Sequence, residues 1–240
     1  MKTKLTQSGL AQKLAREQTA PGKRSDGVLR LVLISDTHDQ RPADVPLGDV
    51  LIHAGDFACG DDLHSLRRDI GRLRSLPHRH KILVPGNHDL ILTIQPNVRE
   101  LLGSIHFLSD SLVDIDGVRF YGIGWGSKPI IPAGTDVLIS HCPPAGVLDN
   151  GMGCPVLRRA VAEARLRVHV FGHIHGCRGH VQLGLTHFYN ASLDARQTSQ
   201  AGVVAASSHT ISPPCARPWV HELLRAPTLV QDCSGSIVSG

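Results

Sequence analysis

The chain is poor in aromatic residues. Its 240 residues include two Trp, two Tyr and five Phe, too few for the stacking platform of a single-strand nucleic-acid binder. No apolar run approaches the ~18 residues that a membrane span needs. The six cysteines (Cys59, Cys142, Cys154, Cys177, Cys215 and Cys233) form no C-x-x-C pair and no zinc-ribbon spacing, and in a reducing compartment they stay free thiols. The N-terminal stretch MKTKLTQSGLAQKLAREQT is basic but lacks the apolar h-region of a secretory signal. It reads as a frayed tail rather than a targeting helix built on Leu5, Leu10 and Leu14, and the protein reads as cytoplasmic.

Charge is scarce outside that end. Of the formal +4, residues 1–30 supply seven Lys/Arg against two Asp/Glu, and the other 210 residues carry one acid more than base. A body so close to neutral lacks the basic face of a dedicated nucleic-acid binder, which disfavours a polymeric nucleic-acid partner. The length suits one domain with a sizeable core. Residues 1–27, ending in the Pro/Gly/charged APGKRSDG, read as a flexible basic tail and 28–206 as the domain. Residues 207–240 lose periodicity and read as a poorly ordered tail.

Histidine is plentiful, at fifteen residues, and its placement is patterned. VLRLVLIS (28–35) runs into DTHD, VLIHAG (50–55) into Asp56, and KILVPG (81–86) into NHD. DVLIS (136–140) runs into HCPP and VHVFG (168–172) into HIHG. Near-continuous Val/Ile/Leu runs of this length suit strands buried on both faces. Between them, Leu63, Leu66, Ile70, Leu73 and Leu76 recur at helical spacing with Arg on the other face. PVLRRAVAEARL (155–166) opens with the Pro that suits a first helical turn. Two hairpins are expected, one turning at Asp116-Gly117 and one near Gly184. Helices alternating with buried strands give an α/β architecture.

Sheets of this class bind ligands at the carboxyl ends of their strands. Folding therefore gathers Asp36, His38, Asp56, Asn87, His88, His141, His173 and His175 at one edge. In an extended segment His173 and His175, two apart, would point to one side, offering two nitrogens to a common point, or they lie in a polar loop of no consequence. The mixed N/O set suits Mn, Fe, Zn or Ni better than Ca or Mg, and it exceeds what one ion takes.

The series D-x-H, GD, GNHD, the lone His of SHCPP and GH-x-H resembles the calcineurin-like metallophosphoesterase superfamily. The contexts LISDTH, LIHAGDF, VPGNHD, ISHCPP, VHVFGHIHG and FYNAS are similar to its small metallophosphoesterase-domain-containing subgroup. The likeness spans roughly residues 28–194. It implies a four-layer α/β/β/α sandwich of two mixed sheets flanked by helices. It also implies two divalent ions, one held by Asp36, His38 and His175, the other by Asn87, His141 and His173, with Asp56 bridging. His88 then faces the phosphate as the catalytic residue, and Asn87, His88 and Arg178 are the candidate substrate contacts. Two ions ~3.5–4 Å apart lower the pKa of a water between them toward ~7, which yields hydroxide for attack on a phosphoester. The resemblance makes the partner a small-molecule phosphoester, with nucleotide-type and cyclic nucleotide diesters foremost. A phosphomonoesterase, a phosphoprotein phosphatase and a low-turnover nucleotide sensor or scaffold are the alternatives. Oligomeric state is not readable.

Other residues read more plainly. His53 and His169, inside strands, pack or support ligands. Asp89 either orients His88 or serves a helix N-terminus. Cys142 and Cys177 are small fillers beside ligands, and His180 is incidental. Related chains continue past FYNAS into a Pro-containing strand that completes a sheet. QAGVVAASSHTISPP fits that poorly, leaving GVVAA (202–206) as a possible short edge strand.

Overall fold

A computed structural model describes residues 28–40, 42, 44–58, 62–94, 96–193, 218–224, 229–231 and 237–239. The segment 1–27 and the possible edge strand at 202–206 lie outside the described residues. The long apolar runs become β1 (Val28–Ile34), β2 (Val50–His53), β3 (His80–Leu83), β7 (Val137–Ile139) and β8 (Val168–Phe171). Strands β1, β2 and β3 pair in parallel, with β4 (His106–Phe107) beside β3. In the second sheet β6 (Val118–Gly122), β7 and β8 are parallel. Its edges are antiparallel hairpin partners, β5 (Ser111–Ile115) on β6 and β9 (Gly179–Leu183) on β10 (Thr186–Asn190).

The continuous apolar runs divide by the two-residue period of a strand. Leu29, Leu31 and Leu33 of β1 face one core, which they share with Val50, Ile52, Val137, Ile139, Val168 and Val170 from both sheets. Val32 and Ile34 face the opposite way, onto Leu66, Ile70 and Leu73 of α1 (Leu63–Ser75). The second sheet does the same, with Leu138 and Phe171 against Leu157 and Val161 of α4 (Pro155–Glu163). Three cores in series therefore separate four layers, helix, sheet, sheet, helix. Short helices α2 (Leu90–Ile94) and α3 (Val98–Leu102) carry the chain from β3 to β4.

Local chemistry sets the boundaries. The Asp62 carboxylate accepts from the backbone N–H groups of His64 and Ser65 at 3.0 and 2.9 Å, a helix cap worth ~1 kcal/mol. Asp116 and Gly117, at φ 53° and 79°, form the two-residue turn between β5 and β6, where positive φ at both positions matches strand twist. Among the described residues no helix is long and apolar enough to cross a membrane.

One element corrects the sequence reading. Trp219–Leu224 lies in the stretch that reads as a poorly ordered tail, yet it forms β11, antiparallel to β1 from Val28↔Leu224 to Leu33↔Trp219. The first sheet thus has the order β11-β1-β2-β3-β4. Pro218 directly precedes the new edge strand, so a Pro-led strand does complete the sheet, later in the chain than FYNAS suggests. Leu223 is buried at 3 % exposure in the inter-sheet core, and the Tyr189 hydroxyl meets His221 Nδ1 at 2.7 Å across the sheets. Leu223→Ala is therefore expected to lower the melting temperature by about 5–15 °C, the range that a core Leu→Ala loss implies at this chain length. An unchanged melting curve would return 219–224 to a tail.

Candidate metal centre

Five parallel strands end at the site, β1, β2 and β3 from one sheet and β7 and β8 from the other. The backbone turns left-handed where the ligand-type residues begin, with φ of 57° at Asp36, 44° at His38, 52° at Asp56 and 68° at His173. Each such residue costs of order 1 kcal/mol, and strain of this kind gathers at functional sites. It redirects side chains that would otherwise alternate across the sheets.

Loop-to-loop hydrogen bonds hold this geometry. Asp36 N–H donates to Gly55 O (2.9 Å) and His38 N–H to Asp56 O (3.1 Å), fastening the loop after β1 to that after β2. Asp89 is fully buried and accepts from the backbone N–H groups of Gly86 (2.8 Å), Ala58 (2.8 Å) and Phe57 (3.2 Å), tying the loop after β2 to that after β3. Burial pushes its carboxyl up to about 6 against the pull of those donors. Between sheets, the Asp36 carboxylate accepts from the His173 backbone N–H (3.1 Å) and the Ser192 hydroxyl (2.8 Å).

The side chains meet in two triads, Asp36, His38 and His175 in one and Asp56, His141 and His173 in the other. Within each, one ligand atom per residue lies within 4.8 Å of the others. In the first, His175 Nε2 is 3.0 Å from Asp36 Oδ1 and 3.5 Å from His38 Nε2. In the second, His141 Nε2 is 3.2 Å from Asp56 Oδ2, and Asn87 Oδ1 stands 3.1 Å from the same nitrogen. His173 and His175 part company. His173 has its left-handed φ and His175 opens a short 3-10 turn, so the segment is not extended and the two imidazoles go to different triads.

The donor set fits cations. His141 Nδ1 is 2.8 Å from Ala54 O, an acceptor, so Nδ1 carries the hydrogen and donates it. Neutral His141 then aims the Nε2 lone pair at two further acceptors, Asp56 Oδ2 and Asn87 Oδ1. Convergent lone pairs need a positive charge among them, either a proton or a metal ion. Burial disfavours the imidazolium, but the Asp56 hydrogen bond and the Asp36 charge overcome it and raise the pKa. Burial likewise opposes charge on Asp36, yet the His175 hydrogen bond and the His141 and His175 charges hold its carboxyl well below the usual range. Nitrogen-rich triads with one carboxylate each suit two borderline divalent ions.

Two strand histidines hold the loops from behind. His53 Nε2 is 2.9 Å from the Thr37 hydroxyl, between Asp36 and His38, and His169 Nε2 is 2.9 Å from the Ser140 hydroxyl, next to His141. Burial drops both to about 3, so both are neutral. Because Ser140 donates to Cys142 O (2.8 Å), it accepts from His169 Nε2–H, fixing that tautomer. His88 is exposed, its ring centroid 5.1 Å from that of His38. Arg178 donates from Nη1 to Ser192 O (2.8 Å), and its guanidinium lies 5.1 Å from the centre of the Trp219 ring. His180 Nε2 is 3.1 Å from His187 Nδ1 on the outer hairpin.

Ser192, Thr37, Ser140 and Trp125 also belong to this neighbourhood and were not singled out in sequence. The hydroxyls are signalled only by adjacency to a ligand or, for Ser192, by FYNAS; Trp125 is signalled by its glycine neighbours in GWG.

Two ligand triads at the joined carboxyl edges of a two-sheet sandwich define a dinuclear metallohydrolase. A sequence model of the calcineurin-like phosphoesterases matches residues 29–177, and the chain belongs to that family. It is 35% identical over 217 residues to human metallophosphoesterase domain-containing protein 1, covering 70% of this chain and 67% of that protein. It is 33% identical over 215 residues to UPF0046 protein K07C11.7 of Caenorhabditis elegans, covering 73% of each. A second protein of that organism, UPF0046 protein C25E10.12, is 35% identical over 215 residues, at 69% and 75% coverage.

The centre leaves no room at Gly172. A Cβ there would sit inside contact distance of Ser35 Oγ and Asp36 Oδ2, which are held on both sides. Gly172→Ala is expected to keep its circular-dichroism spectrum but bind Mn²⁺ ~10–100-fold more weakly, the scale of a lost ligand support, as read by calorimetric titration. Unchanged affinity would show that Asp36 is not sterically set.

Proposed function

We propose that the chain is a dinuclear metal-dependent phosphodiesterase acting on nucleotide-type or cyclic nucleotide diesters. The observation that carries the two-ion part is the Asp56 carboxylate. Its Oδ1 accepts from the His88 backbone N–H (2.9 Å), while Oδ2 lies 3.2 Å from His141 Nε2 and 3.7 Å from His38 Nε2. One oxygen thus faces both triads, the place of a bridging ligand. Asp36, His38 and His175 would hold one ion, and Asn87, His141 and His173 the other. When bound, the ions supply Lewis acidity and a water ionised at neutral pH.

The chain's own groups do the rest. Four imidazoles and the Asn87 amide add no negative charge, so two carboxylates leave the loaded site net positive toward a phosphate. Asn87, whose amide oxygen stands beside His141 of the second triad, and His88, exposed beside His38, would bind the phosphoryl oxygens. As water oxygen bonds to phosphorus and the P–O ester bond breaks in line, His88 gives its proton to the departing oxygen. Arg178 is engaged by Ser192 and Trp219, and we assign it to anchoring β11 rather than to the substrate. The preference for diesters rests on the likeness to the small metallophosphoesterase-domain subgroup. Mn, Fe, Zn or Ni suits the ligands. Cys142, Cys154 and Cys177 are free thiols, and we place the enzyme in the cytoplasm.

Hydrolysis of bis(p-nitrophenyl) phosphate by chelator-stripped protein is expected to be absent and to return with Mn²⁺. His88→Ala, with metal content unchanged, is expected to lower kcat by ~10²–10⁴, the range of general acid catalysis. Folded, metal-loaded protein with no turnover would favour a nucleotide sensor on the same fold. Full turnover in His88→Ala would remove the proposed acid.

A further inference from the structure

Trp125 is an exposed indole beside the ligand triads, 42 % accessible. Its ring centroid is 5.4 Å from that of His141 and 5.0 Å from that of His173, at interplanar angles of 66° and 53°. Both histidines belong to the second triad. His88, also exposed, packs instead on His38 of the first triad. The two exposed rings therefore stand over different halves of the centre.

The backbone that carries the indole is fixed. Residues 124–127 form a turn closed by Ser127 N–H to Gly124 O at 3.1 Å. Gly126 takes φ 78° in its third position, a conformation open to glycine without penalty. Asp110 clamps the turn from below, accepting from Gly124 N–H (3.3 Å) and from the Ser127 hydroxyl. A fixed turn that keeps an apolar ring in solvent at the mouth of a polar site has the form of a binding platform. Such a ring offers a π-face that any planar group can stack on.

We propose that Trp125 selects the ester group that stays on phosphorus, and that the group it selects is planar and aromatic, a nucleobase or an aryl ring. The inference rests on the phosphodiesterase reading. There, the departing ester lies toward His88 and the first triad, and the second ester of a diester extends over the second triad, where the indole stands. A monoester has no second group to place. Trp125 is thus what distinguishes a nucleoside or aryl diester from a small alkyl one.

The test uses two diesters with the same leaving group, p-nitrophenolate. Thymidine 5′-(p-nitrophenyl) phosphate retains an aromatic base; methyl p-nitrophenyl phosphate retains a methyl. With Mn²⁺-loaded protein, Trp125→Ala is expected to lower kcat/KM for the thymidine ester about 10-fold, mainly through KM, a typical loss for one stacked base. The methyl ester should stay within about twofold, and Trp125→Phe should restore most of the difference. Equal losses on both esters would make the indole a prop for His141 and His173 and overturn the proposal, as would no loss on either. A binding arm separates this from failure of the reaction itself. The chain has two tryptophans, Trp125 and Trp219, so in Trp219→Phe all indole emission comes from Trp125. Thymidine 5′-monophosphate is expected to quench that emission, and not that of Trp125→Phe, even if wild type hydrolyses neither ester. Quenching without turnover would sink the phosphodiesterase reading while retaining the platform, whereas absence of quenching in Trp219→Phe would remove the platform itself.

Discussion

A buried carboxylate at the junction of two sheets, that of Asp36, governs much of what surrounds it. It leaves β1 of the first sheet and accepts from His173 and Ser192, which follow β8 and β10 of the second. Its Oδ1 meets His175 Nε2 at 3.0 Å and His141 Nε2 at 3.9 Å. Withdrawing such an anion from water carries a penalty of several kcal/mol unless opposite charge and hydrogen bonds meet it. Asp56, at 2 % exposure, adds a second anion a few ångströms away. Two backbone N–H groups and one hydroxyl cannot neutralise two carboxylates, and the neutral His53 and His169 behind them add no charge. The centre is organised around positive charge, carried by a proton on its imidazoles or by a metal ion. The packing of the two sheets and the loading of the site are for this reason one energetic problem.

That coupling explains where the strain lies. Four of the six triad residues sit in left-handed backbone, which neither helix nor strand would impose. The loops after β1 and β2 stay there because each is bonded to the other, with Asp89 of the loop after β3 gathering three amide donors beside them. His173 is held by its backbone N–H on Asp36. His53 and His169 apply the same device twice, a neutral imidazole in a strand holding a hydroxyl one residue from a ligand. Much of the chain's histidine excess is accounted for in this way, by ligand positions and by the supports behind them.

The frame of the site was legible because its causes are local. A strand buried on both faces has to be an apolar run, so β1, β2, β3, β7 and β8 announce themselves, and the first polar residues after each are the ones at the carboxyl edge. The Leu66, Ile70 and Leu73 stripe and the Asp116-Gly117 turn are equally local. Contacts set by distant partners left no such trace. β11 reads as a tail because WVHELL mixes polar and apolar residues, as an edge strand does, and its partner β1 lies about 190 residues earlier. Asp89 is one carboxylate among many until folding brings Phe57 and Ala58 to it. The divergence of His173 and His175 turned on one φ angle, which the i, i+2 rule for extended chain does not anticipate.

The two exposed rings complete the physical picture by breaking its symmetry. The triads are alike in composition, one carboxylate and two imidazoles each, and only the Asn87 amide at the second one sets them apart. His88 on one side and Trp125 on the other are chemically unlike. One can give a proton to a departing oxygen; the other can only offer apolar area. On the phosphodiesterase reading, a substrate with two different ester groups would be aligned by these two unlike side chains above the centre. Because Asp110 holds the 124–127 turn that carries the indole before any ligand arrives, less ordering entropy would be lost if an aromatic group docked, which is how a single ring could set a preference.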